Sequence, residues 1–427
     1  MEALPAPEAD ALYRAQIGYL LARSAFYRDK LAGAGGASAI GGLDAISALP
    51  FTEKDELRAT VSPEHPLGAH LAAPMAEVAR IYSTSGTTGA PFYVPLTRAD
   101  LADWTAISAR SYGASGARAG ERIVSTYGAG PFVAAVALDA FARLGLCHIP
   151  VGPGATERLM AAVERLAPEI VALTPSYALH LAEWAEARGI DLAASAVRRI
   201  LVGGEPGGGE PAMRARIEAG WGARVTEVMG IGDVAVSLWG ECAGQDGMHF
   251  SGGGVVHVEL IDPTTGAPVA MVDGAEGELV YTHLRREAAP LLRFRSRDQV
   301  RVRAGPCACG RVGPRIRCVG RTDDMLIVRG VNLFPAALRE VVGAFGPEVT
   351  GVIALRPKTR GVRQEPPLPV AVEAAPDAPP DLAARLRERI RDKLAVTTVI
   401  TLVPPGALPR SDYKSRLVDW PTAPPPR

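Results

Sequence analysis

Lysine is scarce in this chain. Of 46 basic residues, five are lysine (Lys30, Lys54, Lys358, Lys393 and Lys414) and the rest are arginine, so each lysine stands out. Neither sign of charge is in excess, since 46 acidic residues balance the 46 basic ones. No global field therefore favours nucleic acid or an anionic membrane. No apolar run reaches the length of a membrane span. The segment Met1–Asp10 is acidic and alanine-rich, without the basic start and apolar centre of a signal peptide. Five cysteines, an odd number without framework spacing, suit a reducing compartment. A cytoplasmic protein is the expectation. The GxxxxGK[ST] phosphate loop is also missing, and no internal repeat is present.

What is there begins with length. A chain of 427 residues, 48% hydrophobic and 22% charged, has enough material for two or three globular domains. The richest local pattern is Tyr82-Ser83-Thr84-Ser85-Gly86-Thr87-Thr88-Gly89-Ala90-Pro91. Glycines let backbone N–H groups turn toward a bound anion, and the hydroxyls add donors. Such a loop suits the phosphates of a nucleotide; taken alone, it also reads as a polar surface turn.

The flanking pattern alternates. Strands are predicted over 78–82, 122–125, 170–173 and 199–202, and helices over 11–31, 97–111, 132–144 and 177–188. This β-then-α rhythm predicts an α/β fold with mostly parallel sheets flanked by helices. Ligand sites in such sheets lie beyond the carboxyl ends of strands. Tyr127-Gly128, Gly203-Gly204-Glu205-Pro206 and Met229-Gly230-Ile231-Gly232-Asp233 all fall there. From 254 to 303 the period shortens to two, which predicts a β-rich subdomain. After Gly320 the pattern resets, with strands over 351–355 and 369–372 and a helix over 381–394. Residues 1–320 and 321–427 are expected as two domains, the second a small α+β unit.

Cys242, His249, Cys307 and Cys309 offer three thiolates and an imidazole, the ligand set of a closed structural zinc site. Free surface cysteines are the competing reading, because C-x-C is tighter than the usual finger spacing. Cys147 and Cys318 read as buried and without a role.

Taken together these segments resemble the phenylacetate–CoA ligase branch of the adenylate-forming enzymes. The glycine loop, Leu49-Pro50-Phe51-Thr52, Thr174-Pro175-Ser176-Tyr177, Gly277-Glu278-Leu279, Arg295-Ser296-Arg297-Asp298, the run Gly320–Gly330 and the ending around Lys414 carry the resemblance, in order, over nearly the whole chain. It implies two half-reactions. A carboxylate attacks the α-phosphate of ATP to give an acyl-adenylate and pyrophosphate, and coenzyme A then displaces AMP. By this resemblance Thr84, Ser85, Gly86, Thr87, Thr88 and Gly89 hold the β- and γ-phosphates. Gly204, Glu205, Pro206, Met229 and Gly230 line the adenine. Asp298 binds the ribose hydroxyls with help from Arg321. Asp233 takes the Mg²⁺ position, Asp323 is the hinge of a mobile C-terminal domain, and Lys414 is that domain's catalytic lysine.

The acid pocket is expected at Tyr127, Gly128, Phe132 and Gly203, which suits a flat aromatic acid. Four departures stand out. Ala90 replaces the loop's usual lysine, Asp233 is one carbon shorter than the usual glutamate, and Met229 and Gly232 are atypical. They leave open transfer of the acyl group to an amine or carrier protein, and a nucleotide-binding paralogue without catalysis. Neither nucleic acid nor membrane is an expected partner; a homodimer is compatible with the sequence.

Overall fold

The computed structural model describes residues 6–34, 40–84, 92–128, 133–322, 324–410 and 416–421. Among these residues, thirteen strands precede position 322. They are β1 (Val78–Thr84), β2 (Phe92–Thr97), β3 (Arg122–Ser125), β4 (Cys147–Pro150), β5 (Ile170–Leu173), β6 (Arg199–Gly203), β7 (Arg224–Ile231), β8 (Ala235–Glu241), β9 (Met248–Phe250), β10 (Val256–Ile261), β11 (Glu276–His283), β12 (Phe294–Arg303) and β13 (Arg315–Arg321). Eleven of them form one sheet in the order β10-β11-β12-β13-β9-β8-β7-β6-β5-β3-β4.

One half of this sheet is parallel, from β4 through β3, β5 and β6 to β7. Its inner strands β5 and β6 are apolar on both sides because helices cover both faces. Alternate residues serve opposite cores. Val171, Leu173, Ile200 and Val202 pack toward helices Thr156–Leu166, Pro175–Glu186 and Pro211–Trp221. Ile170, Ala172 and Leu201 pack toward Arg98–Ala114 and Val136–Arg143. The other half, β7 to β10, is antiparallel throughout. The α/β class stands, but the sheet is mixed, and the region expected as a separate β-rich subdomain continues the same ladder. A period of two reports a strand's buried face; it carries no information on which sheet the strand joins.

β1 pairs antiparallel with β2, Thr84 opposite Phe92, where a strand leading directly to a helix was expected; residues 85–91 lie outside the described residues. The Phe92–Thr97 strand escaped the pattern because it contains Pro95 and runs directly into the helix, which Thr97 caps through the Asp100 N–H. Cys147, expected to be buried, is exposed because β4 is the edge strand of the sheet; Cys318 is half-buried.

Beyond residue 322 a separate core forms from residues between Leu326 and Trp420. Strands β14 (Leu326–Val328), β15 (Val331–Leu333) and β17 (Arg363–Gln364) make one small sheet. Strands β16 (Val349–Leu355), β18 (Leu368–Ala374) and β19 (Thr398–Val403) make another, in the order β16-β18-β19. The four-residue spacing in helix Leu382–Leu394 does what it predicted, since Leu382, Leu386 and Ile390 are fully buried. Helix Pro335–Gly343 docks this part onto the rest of the chain. From it, buried Arg339 makes a two-pronged ion pair with Glu210 at 2.7 and 3.0 Å and donates to the Pro206 carbonyl at 2.7 Å.

Candidate active site

The parallel strands end on one edge. β3 leads out toward β4, whereas β5 leads the other way to β6, so the topological switch lies between β3 and β5. Tyr127 follows β3 and Thr174 follows β5, on the two sides of that switch. The Tyr127 ring stacks on Phe141, with centroids 6.4 Å apart. Gly203 ends β6, and a Cβ there would meet the Val228 carbonyl oxygen at 2.7 Å. Gly204 has φ +90°, a conformation for which glycine is suited. Glu205 turns back to accept from the Ser176 N–H at 2.8 Å, which joins the Thr174–Tyr177 motif to the Gly-Gly-Glu-Pro turn. On β7, a Cβ at Gly230 would collide with the backbone of Ala235 and Ser237, while Met229 packs half-buried against the main core. Gly128 is half-buried beside Tyr127. Phe132 lies outside the described residues.

Asp233 sits in the turn between β7 and β8 and is 5% exposed. One carboxylate oxygen, Oδ2, accepts from Lys54 Nζ at 2.8 Å. The other, Oδ1, is buried and has no partner among the described residues. The same Lys54 ammonium donates to Thr84 Oγ1 at 3.1 Å and lies 5.3 Å from the centre of the Phe92 ring. His70 stacks on the other part of this wall, 5.7 Å from Phe92, and burial pulls its pKa down to about 4, so it is neutral at pH 7. Of the residues expected to hold phosphates, Thr84 is thus tied to Lys54; Ser85, Gly86, Thr87, Thr88 and Gly89 lie outside the described residues, as do Asp323 and Lys414.

Lys54 is the functional candidate that motif reading passed over. Its position is over-determined. It is the first residue of helix Lys54–Ala59, whose start is closed by a reciprocal capping box between Glu53 and Glu56. Just upstream, Thr52 is stitched to the sheet: its N–H donates to the Arg293 carbonyl at 2.9 Å, and its carbonyl accepts from the Arg295 N–H at 3.0 Å. Phe51 is covered by the Arg293 guanidinium at 4.1 Å. The Leu49–Thr52 signature therefore anchors Lys54 to β12, the strand that carries Asp298. The scarcity of lysine was the signal that could have found it.

Asp298 and Arg321 face each other across β12 and β13, with Arg321 Nη1 3.0 Å from Asp298 Oδ1. Arg295 and Arg297, the basic neighbours of Asp298 in sequence, are engaged elsewhere, Arg295 with Glu278 and Arg297 with Glu53. Just before Asp323, the Thr322 N–H donates to the Arg297 carbonyl at 2.7 Å.

Beside Gly208 and Gly209 lies a buried carboxylate, Glu227 on β7. Burial first, and the neighbouring Glu241 second, push its pKa up to about 7, partly opposed by Arg214. A folded-state pKa above the unfolded value means the native protein holds an extra proton between pH 4.5 and 7. That contribution is lost as pH rises through this window. Glu227→Gln is therefore expected to raise the melting temperature at pH 8 relative to the parent and to change it little at pH 5. Thermal scans at the two pH values test this; an equal shift at both would remove Glu227 from the account.

This arrangement defines an α/β fold in which the Lys54–Asp233 pair reaches the Thr84 hydroxyl beyond the end of β7, and a second carboxylate–arginine pair, Asp298–Arg321, joins β12 to β13. Residues 16–283 match the AMP-binding enzyme family. The phenylacetate–coenzyme A ligase of Thermus thermophilus is 34% identical over 438 aligned residues, covering 96% of each chain. A 2-hydroxyisobutyryl-CoA ligase solved in the postadenylation state, in complex with R3-HIB-AMP, superposes with a TM-score of 0.88 at 26% identity, over 98% of this chain and 91% of that one. The same ligase in its thioesterification state, in complex with 2-HIB-AMP and CoA, gives 0.70 at 27% identity over the same shares. The chain belongs to the AMP-binding enzyme family, in its phenylacetate–CoA ligase branch.

Proposed function

We propose that this protein activates an aromatic carboxylic acid with Mg²⁺ and ATP and then joins the acyl group to coenzyme A. Adenylation followed by thioester formation is the reaction of an AMP-forming acid–CoA ligase, the class to which the relatives point. The aromatic acid rests on the Tyr127 ring, which stacks on Phe141 just beyond the end of β3. Cytoplasmic ATP and coenzyme A suit a chain in which no described helix is long and apolar enough to cross a membrane.

The observation that carries the adenylation reading is the Lys54–Asp233–Thr84 cluster. Asp233 keeps one buried oxygen unpartnered among the described residues, a costly arrangement unless a ligand completes it. A hard divalent cation with oxygen ligands fits that atom, so Asp233 is the residue that would hold Mg²⁺, which when bound neutralises charge on the phosphates. Lys54 holds the carboxylate in place through its other oxygen and presents its ammonium beside the phosphate loop. That compensates the loop for Ala90, where a lysine is absent. Asp298 offers a two-oxygen acceptor for ribose hydroxyls. Lys414 is assigned to the α-phosphate and the attacking carboxylate. Arg410, four residues before it, is bound to Glu373 at 2.8 and 2.9 Å and to Glu183 at 3.2 Å, which tethers that segment to helix Pro175–Glu186.

The C-terminal part, from about Asp323, is read as a mobile domain. The higher superposition score with the postadenylation state than with the thioesterification state supports that reading. In this arrangement Arg339–Glu210 acts as the latch of the adenylating form. Arg339→Ala is expected to slow acid-dependent pyrophosphate exchange roughly tenfold, as a coupling of about 1.4 kcal/mol would. Thioester formation from supplied acyl-adenylate should stay within about twofold. Equal loss in both half-reactions would count against a latch.

The direct test is a screen of benzoic, phenylacetic and hydroxylated or aminated aryl acids by pyrophosphate exchange, followed by product analysis with coenzyme A. Exchange with an aryl acid and an acyl-CoA product are expected. No exchange with any acid would overturn the catalytic reading; AMP release without acyl-CoA would overturn the choice of acceptor.

A further inference from the structure

The strongest unassigned cluster lies away from the nucleotide site. Cys242 follows β8, His249 is on β9, and Cys307 and Cys309 belong to the connection between β12 and β13. Their ligand atoms all lie within 4.8 Å of one another. Cys242 Sγ and Cys307 Sγ are 3.6 Å apart, and Cys309 Sγ is 3.4 Å from His249 Nε2. A disulfide needs sulfurs at about 2.05 Å. A tetrahedral ion with about 2.3 Å bonds to sulfur and 2.0–2.1 Å to nitrogen places its ligands roughly 3.5–3.8 Å apart. The 3.6 Å sulfur–sulfur separation falls in the second range and the 3.4 Å sulfur–nitrogen separation lies 0.1 Å below it, both far from a disulfide. Cys242 also accepts an N–H from Gly244 at 3.3 Å, the kind of outer contact that fixes a metal thiolate.

The surrounding chain explains what an ion would do. Residues 304–314 contain no helix or strand, and Gly305, Gly310 and Gly313 all have positive φ. The loop has little apolar cover of its own, and Val312 is 69% exposed. Its other attachments include the Ala304 N–H, which donates to Asp273 at 3.0 Å, and buried Arg315, which donates to the Gly305 carbonyl at 3.1 Å and to Asp246 at 2.7 and 2.9 Å.

We infer that Cys242, His249, Cys307 and Cys309 bind one structural Zn²⁺ that clasps the β12–β13 connection to the β8–β9 turn. Three thiolates with one imidazole select a soft tetrahedral ion and leave no open position for catalysis. The clasp sits at the opposite end of the β12–β13 hairpin from Asp298 and Arg321. Arg315 and Arg321 stand at the two ends of β13, about 20 Å apart, so the ion acts on the nucleotide site only by holding the hairpin's register.

The test uses the full-length protein purified under reducing conditions. Elemental analysis should give about one zinc per chain. Exchange of the metal for Co²⁺ should give a thiolate-to-cobalt charge-transfer band and the visible absorption of a tetrahedral site. Cys309→Ser, at an exposed position, should lower zinc content severalfold and the melting temperature by on the order of 5 °C, yet keep pyrophosphate exchange at about 20 °C. Wild-type protein that holds no zinc after reconstitution, or a cobalt form without the charge-transfer band, overturns the inference whether or not the variant folds. Because the readouts are metal content and spectrum, they stand or fall separately from the ligase reading.

Discussion

Replacing Lys54 with alanine is expected to lower acid-dependent pyrophosphate exchange by roughly 10²–10³-fold, the size of effect seen when one preorganised donor to a developing negative charge is removed. Two things are lost together. The ammonium beside Thr84 disappears from a loop that already has alanine at position 90. Asp233, which is buried, loses the partner at 2.8 Å that holds its carboxylate. A buried carboxylate without a partner is costly, so it recruits a proton or turns away. Either outcome weakens Mg²⁺ binding, and the Mg²⁺ dependence of the variant should shift to higher concentration. Lys54→Arg keeps the charge but replaces a compact ammonium with a planar fork, and should restore only part of the rate. Measured exchange within about threefold of wild type in Lys54→Ala would show that the pair is merely structural.

Lys414→Ala is expected to remove adenylation almost entirely while ATP binding, followed by isothermal titration, changes little. The physical reason is the timing of charge. A lysine delivered to the α-phosphate and the attacking carboxylate acts on the transition state rather than on bound ATP, so its loss appears in the rate and not in the affinity. Coenzyme A transfer from supplied acyl-adenylate should survive in the same variant, since that step no longer needs the cation. Unchanged pyrophosphate exchange would refute the role. Glu183→Ala, which frees Arg410 from its 3.2 Å contact with the N-terminal part, should weaken adenylation in the same direction but less.

Much of the architecture could be read from the chain. Short apolar strands followed by amphipathic helices announced the parallel half, because burial on both faces demands continuous apolar runs. Leu382, Leu386 and Ile390 announced their helix through spacing alone. Other elements were silent. Cys147–Pro150 is a four-residue edge strand with little burial to pattern it. Phe92–Thr97 was hidden by Pro95 and by fusion to a helix cap. Helix Pro335–Gly343 was missed although its spacing is apolar, because it is short and begins at a proline that reads equally as a turn.

The sequence by itself determined the family resemblance, the hydroxyl-rich loop, the pairing of chemistry with strand ends, and the set of three cysteines and one histidine. These are properties of residue type and order, which local physics constrains. Tertiary structure alone decided that Lys54 meets Asp233 across 179 positions, that Asp298 faces Arg321, and that Cys242 and His249 meet Cys307 and Cys309. Such meetings depend on strand register in a mixed sheet, where a shift of one residue turns every side chain to the opposite face. Lysine scarcity marked Lys54 as a residue to watch; only the fold gave it a carboxylate to hold and the Thr84 hydroxyl to reach.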